Sequence, residues 1–268
     1  MPLININNCN YYYEIHGDEN AAETIVFAHG LLWSGKLFHK QVAYLKDCYR
    51  VVTYDHRGQG KSEVTQSGYD MDSLHKDVVE LITQLQLGKV HFVGLSMGGF
   101  IGMRLAARNT ELLKSLILME TSAQGEPNKL KYVLLNTIVK LFGVKAVARN
   151  VMPIMFGKTF LNDANRLAEK NEWRGYLENN SKTITRAVAG VISRNDVVQE
   201  LKDIYCPVLI MVGTEDKATV PTKAEFIHVN IPHSQLCYIQ NAGHSSSIEE
   251  PQQVNQFLDE FLMGVING

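Results

Sequence analysis

The sequence predicts an α/β protein in which helices cover both faces of a mostly parallel sheet. Short runs rich in Val and Ile are too continuous to leave a polar face, as is typical of central parallel strands. Segments with helical spacing separate these runs, which indicates β-α-β units. With 268 residues, of which 45% are hydrophobic, the chain can bury one sizeable core, so one domain with an insertion is expected.

Seven runs predict the strands of this sheet. In chain order they are YYYEIHG (11–17), TIVFAHG (24–30), YRVVTYD (49–55), KVHFVGLS (89–96), SLILME (115–120), CPVLIMVG (206–213) and SQLCYIQ (234–240). A helix is predicted over 71–87, where one face carries Leu74, Val78, Leu81, Ile82 and Leu85. A closing helix is predicted over 249–264 from Val254, Phe257, Leu258 and Phe261.

The region from 122 to 202 interrupts this alternation because it contains no clear strand. Its helical pieces are KLKYVLLNTIVKLFG (129–143) and NDANRLAEKNEWRGYLENN (162–180). A stretch of this length is too long for a loop, so we expect a helical cap or lid over 122–202 and a core domain over 1–121 and 203–268. Within it, Met152, Met155 and Phe156 either form the wall of a substrate pocket or pack against the core.

Charge and composition exclude several classes of partner. The net charge is −2, which gives no basic field for nucleic acid or an anionic membrane surface, and a small-molecule partner is expected. Four scattered cysteines without metal-like spacing predict buried thiols in a reducing compartment. No signal peptide and no membrane span are predicted, so a cytoplasmic location without membrane insertion is expected. The oligomeric state cannot be read from the sequence.

The stretch GLSMG (94–98) has the form G-x-S-x-G between a predicted strand and a helix-like segment. This context predicts a nucleophile elbow, a strained turn that exposes the serine hydroxyl. Glycines on either side allow strand and helix to approach where a Cβ would clash. Ser96 is therefore the candidate nucleophile.

A serine needs a base and an acid, which follow an elbow serine in the order acid, then histidine. Asp216 stands three residues after the glycine that ends a predicted strand, and His244 lies in a glycine-containing loop before the last helix. Both occupy positions expected for the triad. Glu215 is a rival acid, and Glu120 is a weaker one.

Acyl transfer also requires donors for the oxyanion, usually two backbone N–H groups. The residue after the nucleophile, Met97, supplies one candidate. The loop HGLLWSG (29–35) supplies Leu31, because Gly30 permits a sharp turn. We expect His29 to orient this loop rather than act as the base. Trp33, two residues after Leu31, either lines the acyl pocket or packs beneath the lid.

Five motifs together resemble a known family across almost the whole chain. They are HGLLWSG, YDHRGQGKS (54–62), GLSMGG (94–99), GTEDKATVP (213–221) and NAGHSSSIEEP (241–251). The chain resembles α/β-hydrolase fold proteins of the esterase, 3-oxoadipate enol-lactonase and cofactor-free haloperoxidase group. The resemblance implies an eight-stranded, mostly parallel sheet with the cap between strands 6 and 7. It also implies that Asp55 and Arg57 brace a turn.

The resemblance further implies a serine hydrolase that cleaves carboxylic esters or lactones of small to medium apolar substrates through an acyl-enzyme. No metal or organic cofactor is implied. Leu32 stands where the haloperoxidase branch often has Pro, while the D-x-A-T run at Asp216 is similar to enol-lactonases. Enol-lactonase activity and hydrolysis of carbon–carbon bonds in ring-cleavage products stay open as alternatives, with non-catalytic ligand binding as a third.

Overall fold

The computed structural model describes residues 2–268 and contains one eight-stranded sheet. The strands are β1 (Leu3–Ile6), β2 (Cys9–His16), β3 (Thr24–Ala28), β4 (Arg50–Tyr54), β5 (Val90–Leu95), β6 (Leu113–Met119), β7 (Val208–Gly213) and β8 (Gln235–Ile239). Their spatial order is β1-β2-β4-β3-β5-β6-β7-β8. Strand β2 runs antiparallel to β1 and β4, and the strands from β4 to β8 pair in parallel. The α/β class and the mostly parallel sheet are confirmed.

The edge strand β1 is the one strand that the sequence analysis missed. It pairs with β2 through a two-residue turn at Asn7 and Asn8, whose φ angles are 47° and 59°. Two successive residues with positive φ give the backbone twist that a tight hairpin requires, and asparagine tolerates this conformation. The pair of asparagines was therefore the available signal for this hairpin.

Both faces of the sheet are buried, as the continuous apolar runs predicted. On β6, Ile117 and Met119 contribute to one hydrophobic core, and Leu116 and Leu118 contribute to the other. The first core is covered by α1 (His39–Leu45) and α11 (Pro251–Asn267), and the second by α2 (Met71–Gln84), α3 (Met97–Arg108) and α9 (Pro221–Asn230). Because successive strand residues point to opposite faces, the strands from β3 to β8 contribute to both cores, whereas β1 and β2 contribute to the second one.

The predicted helices differ from the observed ones at their ends. Helix α2 begins after Asp70, whose side chain accepts the Ser73 N–H at 2.8 Å as an N-cap, and it ends at Gln84, three residues before the predicted end at Leu87. Helix α11 follows the one-turn helix α10 (Ser246–Glu249) and begins at Pro251, because proline suits a first helical turn where its N–H is not needed.

Helices alone fill the chain between β6 and β7. They are α4 (Lys129–Phe142), α5 (Ala148–Met155), α6 (Lys158–Asn162), α7 (Leu167–Glu178) and α8 (Thr185–Ile192). Every residue from 122 to 202 is described, and none lies in a strand. The predicted helix over 162–180 is interrupted, because Asp163 accepts the Asn165 N–H and begins a short 3₁₀ turn before α7. We refer to residues 122–202 as the helical segment.

The four cysteines differ in their exposure to solvent. Of the four cysteines, Cys9 is buried and Cys206 and Cys237 are half-buried. Cys48 is exposed, so the prediction that all four are buried was wrong. The exposed position follows α1 in a surface turn. Within residues 2–268, no helix has both the length and the apolar character needed to cross a membrane.

Candidate active site

Ser96 lies at the sharp junction between β5 and α3. Its backbone has φ 53° and ψ −108°, a strained conformation for a residue with a Cβ. Three backbone contacts hold it: the Ser96 N–H donates to the Met119 carbonyl at 2.8 Å, and its carbonyl accepts from the Thr121 hydroxyl at 2.8 Å and the Phe100 N–H at 3.0 Å. The residue stays partly exposed, and it lines a cavity.

The glycines of G-x-S-x-G permit this junction through close packing. A Cβ on Gly94 would lie 2.3 Å from the Gly98 carbonyl oxygen, and a Cβ on Gly98 would lie 2.0 Å from the Ala28 carbonyl oxygen. Both distances are far inside van der Waals contact. Helix α3 can therefore rest against β5 and β3 only because these side chains are absent.

His244 and Asp216 form a buried pair. The His244 Nδ1 lies 2.8 Å from Asp216 Oδ2, and His244 lines the same cavity as Ser96. An ionised carboxylate can only accept, so Nδ1 carries the proton and Nε2 is left as the basic nitrogen. Ser96 and His244 thus line one cavity, and Asp216 does not line it but contacts His244.

Thr219, which the sequence analysis missed, fixes the acid. Its hydroxyl donates to Asp216 Oδ2 at 2.8 Å, and its N–H donates to Oδ1 at 3.0 Å. The Ala218 N–H also donates to Oδ1, at 2.7 Å. Three donors therefore orient the carboxylate. A small hydroxyl residue three positions after the aspartate was the signal for this arrangement.

The rival acids are engaged elsewhere. Burial of Glu215 opposes its ionisation, but hydrogen bonds from the Thr159 N–H and hydroxyl, at 2.8 and 2.7 Å, hold the pKa of Glu215 below its ordinary value. Burial and the charge of Asp216 raise the pKa of Glu120 well above its ordinary value. Among the described residues, neither carboxyl is hydrogen-bonded to His244.

The two candidate oxyanion donors flank the nucleophile region. Leu31 lines the cavity, and none of the described residues accepts a hydrogen bond from its N–H. Met97 is the first residue of α3, where N–H groups have no acceptor within the helix. Gln59 joins the two segments, because its Oε1 accepts the Leu32 N–H at 2.9 Å and its Nε2 lies 3.8 Å from Met97 Sδ. Sequence reasoning missed Gln59.

His29 is buried and packs within the protein. Its Nε2 accepts the backbone N–H of His56 at 3.0 Å, so Nδ1 carries the proton and donates to the Gly30 carbonyl at 2.7 Å. Burial lowers the pKa of His29, which keeps the ring neutral. These bonds tie the Gly30 turn to the β4 loop.

A cavity of about 360 Å³ lies between the sheet edge and the helical segment. Most of its wall is apolar, and Met155 contributes to it. Its polar end carries Arg194, which pairs with Glu126 at 3.3 Å. The volume falls within the range of small-molecule sites.

Three predicted pocket residues do not line this cavity: Trp33, Met152 and Phe156. Trp33 is fully buried, with its ring edge-on to Trp173 at a centroid distance of 5.4 Å. Phe156 also contacts Trp33 edge-on, and Met152 belongs to the same core. Packing of the helical segment against the sheet accounts for all three, and of the four predicted pocket residues only Met155 lies in the wall.

Comparisons with known proteins agree with this architecture. A family model described as alpha/beta hydrolase fold matches residues 23–251. The chain is 29% identical over 257 residues to the protein named putative carbamate hydrolase RutD of Agrobacterium fabrum, covering 94% of this chain and 98% of that one. It is also 29% identical over 239 residues to 3-oxoadipate enol-lactonase 2 of Acinetobacter baylyi, covering 89% and 88%.

A solved structure shows the same fold over the full length. The enol-lactonase from Burkholderia xenovorans superposes with a TM-score of 0.91 at 27% identity, covering 98% of this chain and 100% of that one. The family match spans well over half of the residues and includes the elbow, Asp216 and His244. The chain therefore belongs to the alpha/beta hydrolase fold family and is a hydrolase.

Proposed function

We propose that the protein is a serine hydrolase that cleaves carboxylic esters, lactones included, of small to medium apolar substrates. The observation that carries this proposal is the 2.8 Å contact between His244 and Asp216 beside the cavity that Ser96 lines. A strained elbow serine, an oriented histidine and a mostly apolar wall meet in one site. Together they suit nucleophilic attack on an uncharged carbonyl.

The reaction follows from the two nitrogen atoms of His244. Asp216 holds Nδ1–H, so Nε2 takes the Ser96 proton as Oγ bonds to the substrate carbonyl carbon. The Leu31 and Met97 N–H groups bind the developing oxyanion. His244 then donates the proton to the leaving alcohol as the C–O bond breaks, which leaves an acyl-enzyme. Water, deprotonated by His244, attacks the acyl carbon and releases the acid and Ser96.

In this proposal the helical segment acts as a cap. Residues 1–121 and 203–268 form the core domain that carries the reacting groups, and residues 122–202 supply most of the apolar wall, including Met155. The cavity volume favours acyl chains of short to medium length. The substrate is a small molecule, and the site calls for no metal or organic cofactor.

A second candidate reaction is suggested by one relative. The protein named putative carbamate hydrolase RutD aligns with 94% of this chain at 29% identity. A carbamate presents a carbonyl to Ser96 in the same way as an ester. Carbon–carbon hydrolysis and simple ligand binding are the remaining alternatives from the sequence. Turnover of esters, lactones and a carbamate distinguishes the first two candidates, and absence of turnover on all of them would favour the remaining two.

The test compares the wild-type protein with Ser96→Ala on p-nitrophenyl esters from acetate to decanoate, several lactones and an aryl carbamate. Ser122→Ala is the matched control, because Ser122 lines the same cavity but lies outside the G-x-S-x-G motif. We expect wild type and Ser122→Ala to hydrolyse esters or lactones and Ser96→Ala to lose turnover. Preference for the carbamate would favour the second candidate. Equal rates in wild type and Ser96→Ala would refute serine acyl chemistry.

A further inference from the structure

Helix α4 exposes an apolar stripe on the outside of the helical segment. Leu130 is 88% exposed and Phe142 is 70% exposed. We define the α4 patch as the exposed residues Leu130, Val133, Leu134, Leu141 and Phe142. Single exposed apolar residues are common on protein surfaces, but five large ones on one helix need an explanation.

The α4 patch is not needed to pack α4 against the rest of the protein. The opposite side of the same helix already supplies the inward contacts, with Leu135 and Val139 lining the cavity. Leu130, Val133, Leu134 and Leu141 recur at helical spacing and therefore share the outer face. An amphipathic helix needs one apolar face to join a core, and α4 has a second one directed outward.

The segment of the chain that carries the α4 patch has only positive charges. Residues 127–162 contain six cationic side chains and no Asp or Glu. The six are Lys129, Lys131, Lys140, Lys145, Arg149 and Lys158, and all are exposed. At 3.6 residues per turn, Lys129 and Lys140 flank the outer stripe on one side. Lys131, which also lines the cavity, lies on the other side, between the stripe and the cavity-facing residues. The net charge of −2 for the whole chain does not reveal this local excess of positive charge.

These cations have few acidic partners. Within residues 2–268, Lys158 approaches Glu215 at 3.9 Å, and no ion pair is formed by Lys129, Lys131, Lys140, Lys145 or Arg149. The adjacent Lys182 Nζ donates to the Leu141 carbonyl at 2.6 Å and adds another positive charge beside the C-terminal end of α4. The nearest acid in sequence, Glu126, is paired with Arg194.

We propose that the α4 patch docks on an anionic lipid surface. An apolar stripe with lysines on both flanks inserts its apolar side chains at the level of the acyl chains while the ammonium groups reach the headgroups. A second copy of the chain fits this surface less well, because a symmetric contact would bring two cationic flanks together. The proposal concerns binding and does not depend on the reaction proposed above.

The experiment measures flotation of the full-length protein with vesicles of phosphatidylcholine and phosphatidylglycerol in equal parts, and with pure phosphatidylcholine vesicles. We expect binding to the anionic vesicles that weakens as salt is raised, and much weaker binding to phosphatidylcholine alone. The double variant Leu130→Gln/Leu134→Gln should reduce binding roughly tenfold or more. Val229→Gln, which removes an equally exposed apolar side chain from α9, should leave binding unchanged.

Two charge variants distinguish an effect of the lysines that flank the patch from an effect of the protein's overall charge on vesicle binding. Lys140→Glu should weaken binding, while Lys202→Glu, which changes an exposed lysine outside 127–162, should weaken it much less. Absence of vesicle binding, or equal binding by wild type and the double leucine variant, would overturn the proposal. Sedimentation without lipid gives a further check: a dimer that the double variant converts to monomer would show that a second copy covers the patch, and would also overturn it.

Discussion

The buried carboxylate of Glu249 accepts the backbone N–H of Gly243, with both oxygens 3.0 Å from that nitrogen. It also accepts the Ser245 N–H at 3.2 Å and the Gly157 N–H at 2.8 Å. The residues on both sides of His244 are therefore held by one side chain, which also ties the His244 loop to the helical segment. Glu249 is a positioning residue for the base.

The protonation of Glu249 gives a prediction about stability. Burial raises the pKa of Glu249 from 4.5 to about 7, although the three N–H donors favour its charged form. The folded state thus binds this proton more tightly than the unfolded state does. The stabilisation that this proton contributes is fully present below about pH 4.5 and is lost as the pH rises through about 7.

The variant Glu249→Gln should lack this dependence. Between pH 4.5 and pH 8, its free energy of unfolding should rise relative to that of wild type by on the order of 3 kcal/mol. Urea unfolding followed by circular dichroism at several pH values measures the difference, and Glu250→Gln controls for removing a carboxylate from the neighbouring position. A constant difference between Glu249→Gln and wild type would contradict the assignment. Since Gln places an amide against the N–H donors, kcat should also fall.

The identity of the triad acid can be tested by three neutral replacements. Asp216→Asn should lower kcat by on the order of 10⁴-fold, because an amide stabilises the wrong histidine tautomer. Glu215→Gln should leave kcat nearly unchanged, since Glu215 binds Thr159 instead. Glu120→Gln should do the same, because burial and Asp216 already keep Glu120 neutral. Steady-state kinetics on the preferred ester measures all three, and a large loss in Glu120→Gln would assign the acid differently.

The close packing of the elbow predicts opposite outcomes for two glycine variants. Gly98→Ala would place its Cβ 2.0 Å from the Ala28 carbonyl oxygen in a central strand, so we expect a loss of about 3 kcal/mol or more, or no folded protein. Gly264→Ala in α11 meets open space and should stabilise by roughly 0.5–1 kcal/mol. Urea unfolding compares the two. Similar midpoints for both variants would mean that the elbow can relax around a side chain.

Much of the site could be predicted because its signals are local in sequence. The elbow, Asp216 and His244 each follow a strand run and stand in short motifs with glycine nearby. The parallel sheet brings these strand ends to one edge, so local signals were enough to gather the residues. Thr219 lies in GTEDKATVP with Asp216, and Gln59 lies in YDHRGQGKS, but their hydrogen-bond partners became evident only from the folded positions.

The parts that escaped prediction depend on contacts between distant segments. The sequence around Glu249 predicts only the start of a helix. Nothing near this residue indicates a hydrogen bond to Gly157, ninety-two positions earlier. Trp33 lies beside the oxyanion loop in sequence, yet its ring is buried against Trp173. The strand β1 has four residues and only Ile6 is fully buried, so it lacks the continuous apolar run that identified the other strands.

The turn after β4 should contribute stability rather than catalysis. The Arg57 guanidinium donates from Nε and Nη2 to Asp77 Oδ2 at 3.0 and 2.9 Å, and both side chains are buried. Arg57→Ala would leave the Asp77 charge buried without its partner, which we expect to cost about 3–5 kcal/mol. Arg174→Ala removes an arginine from an exposed pair with Glu178 and should cost about 0.5 kcal/mol or less. Because Arg57 does not line the cavity, kcat per folded molecule should stay unchanged in Arg57→Ala. A fall in kcat without loss of stability would instead give this arginine a role in the reaction.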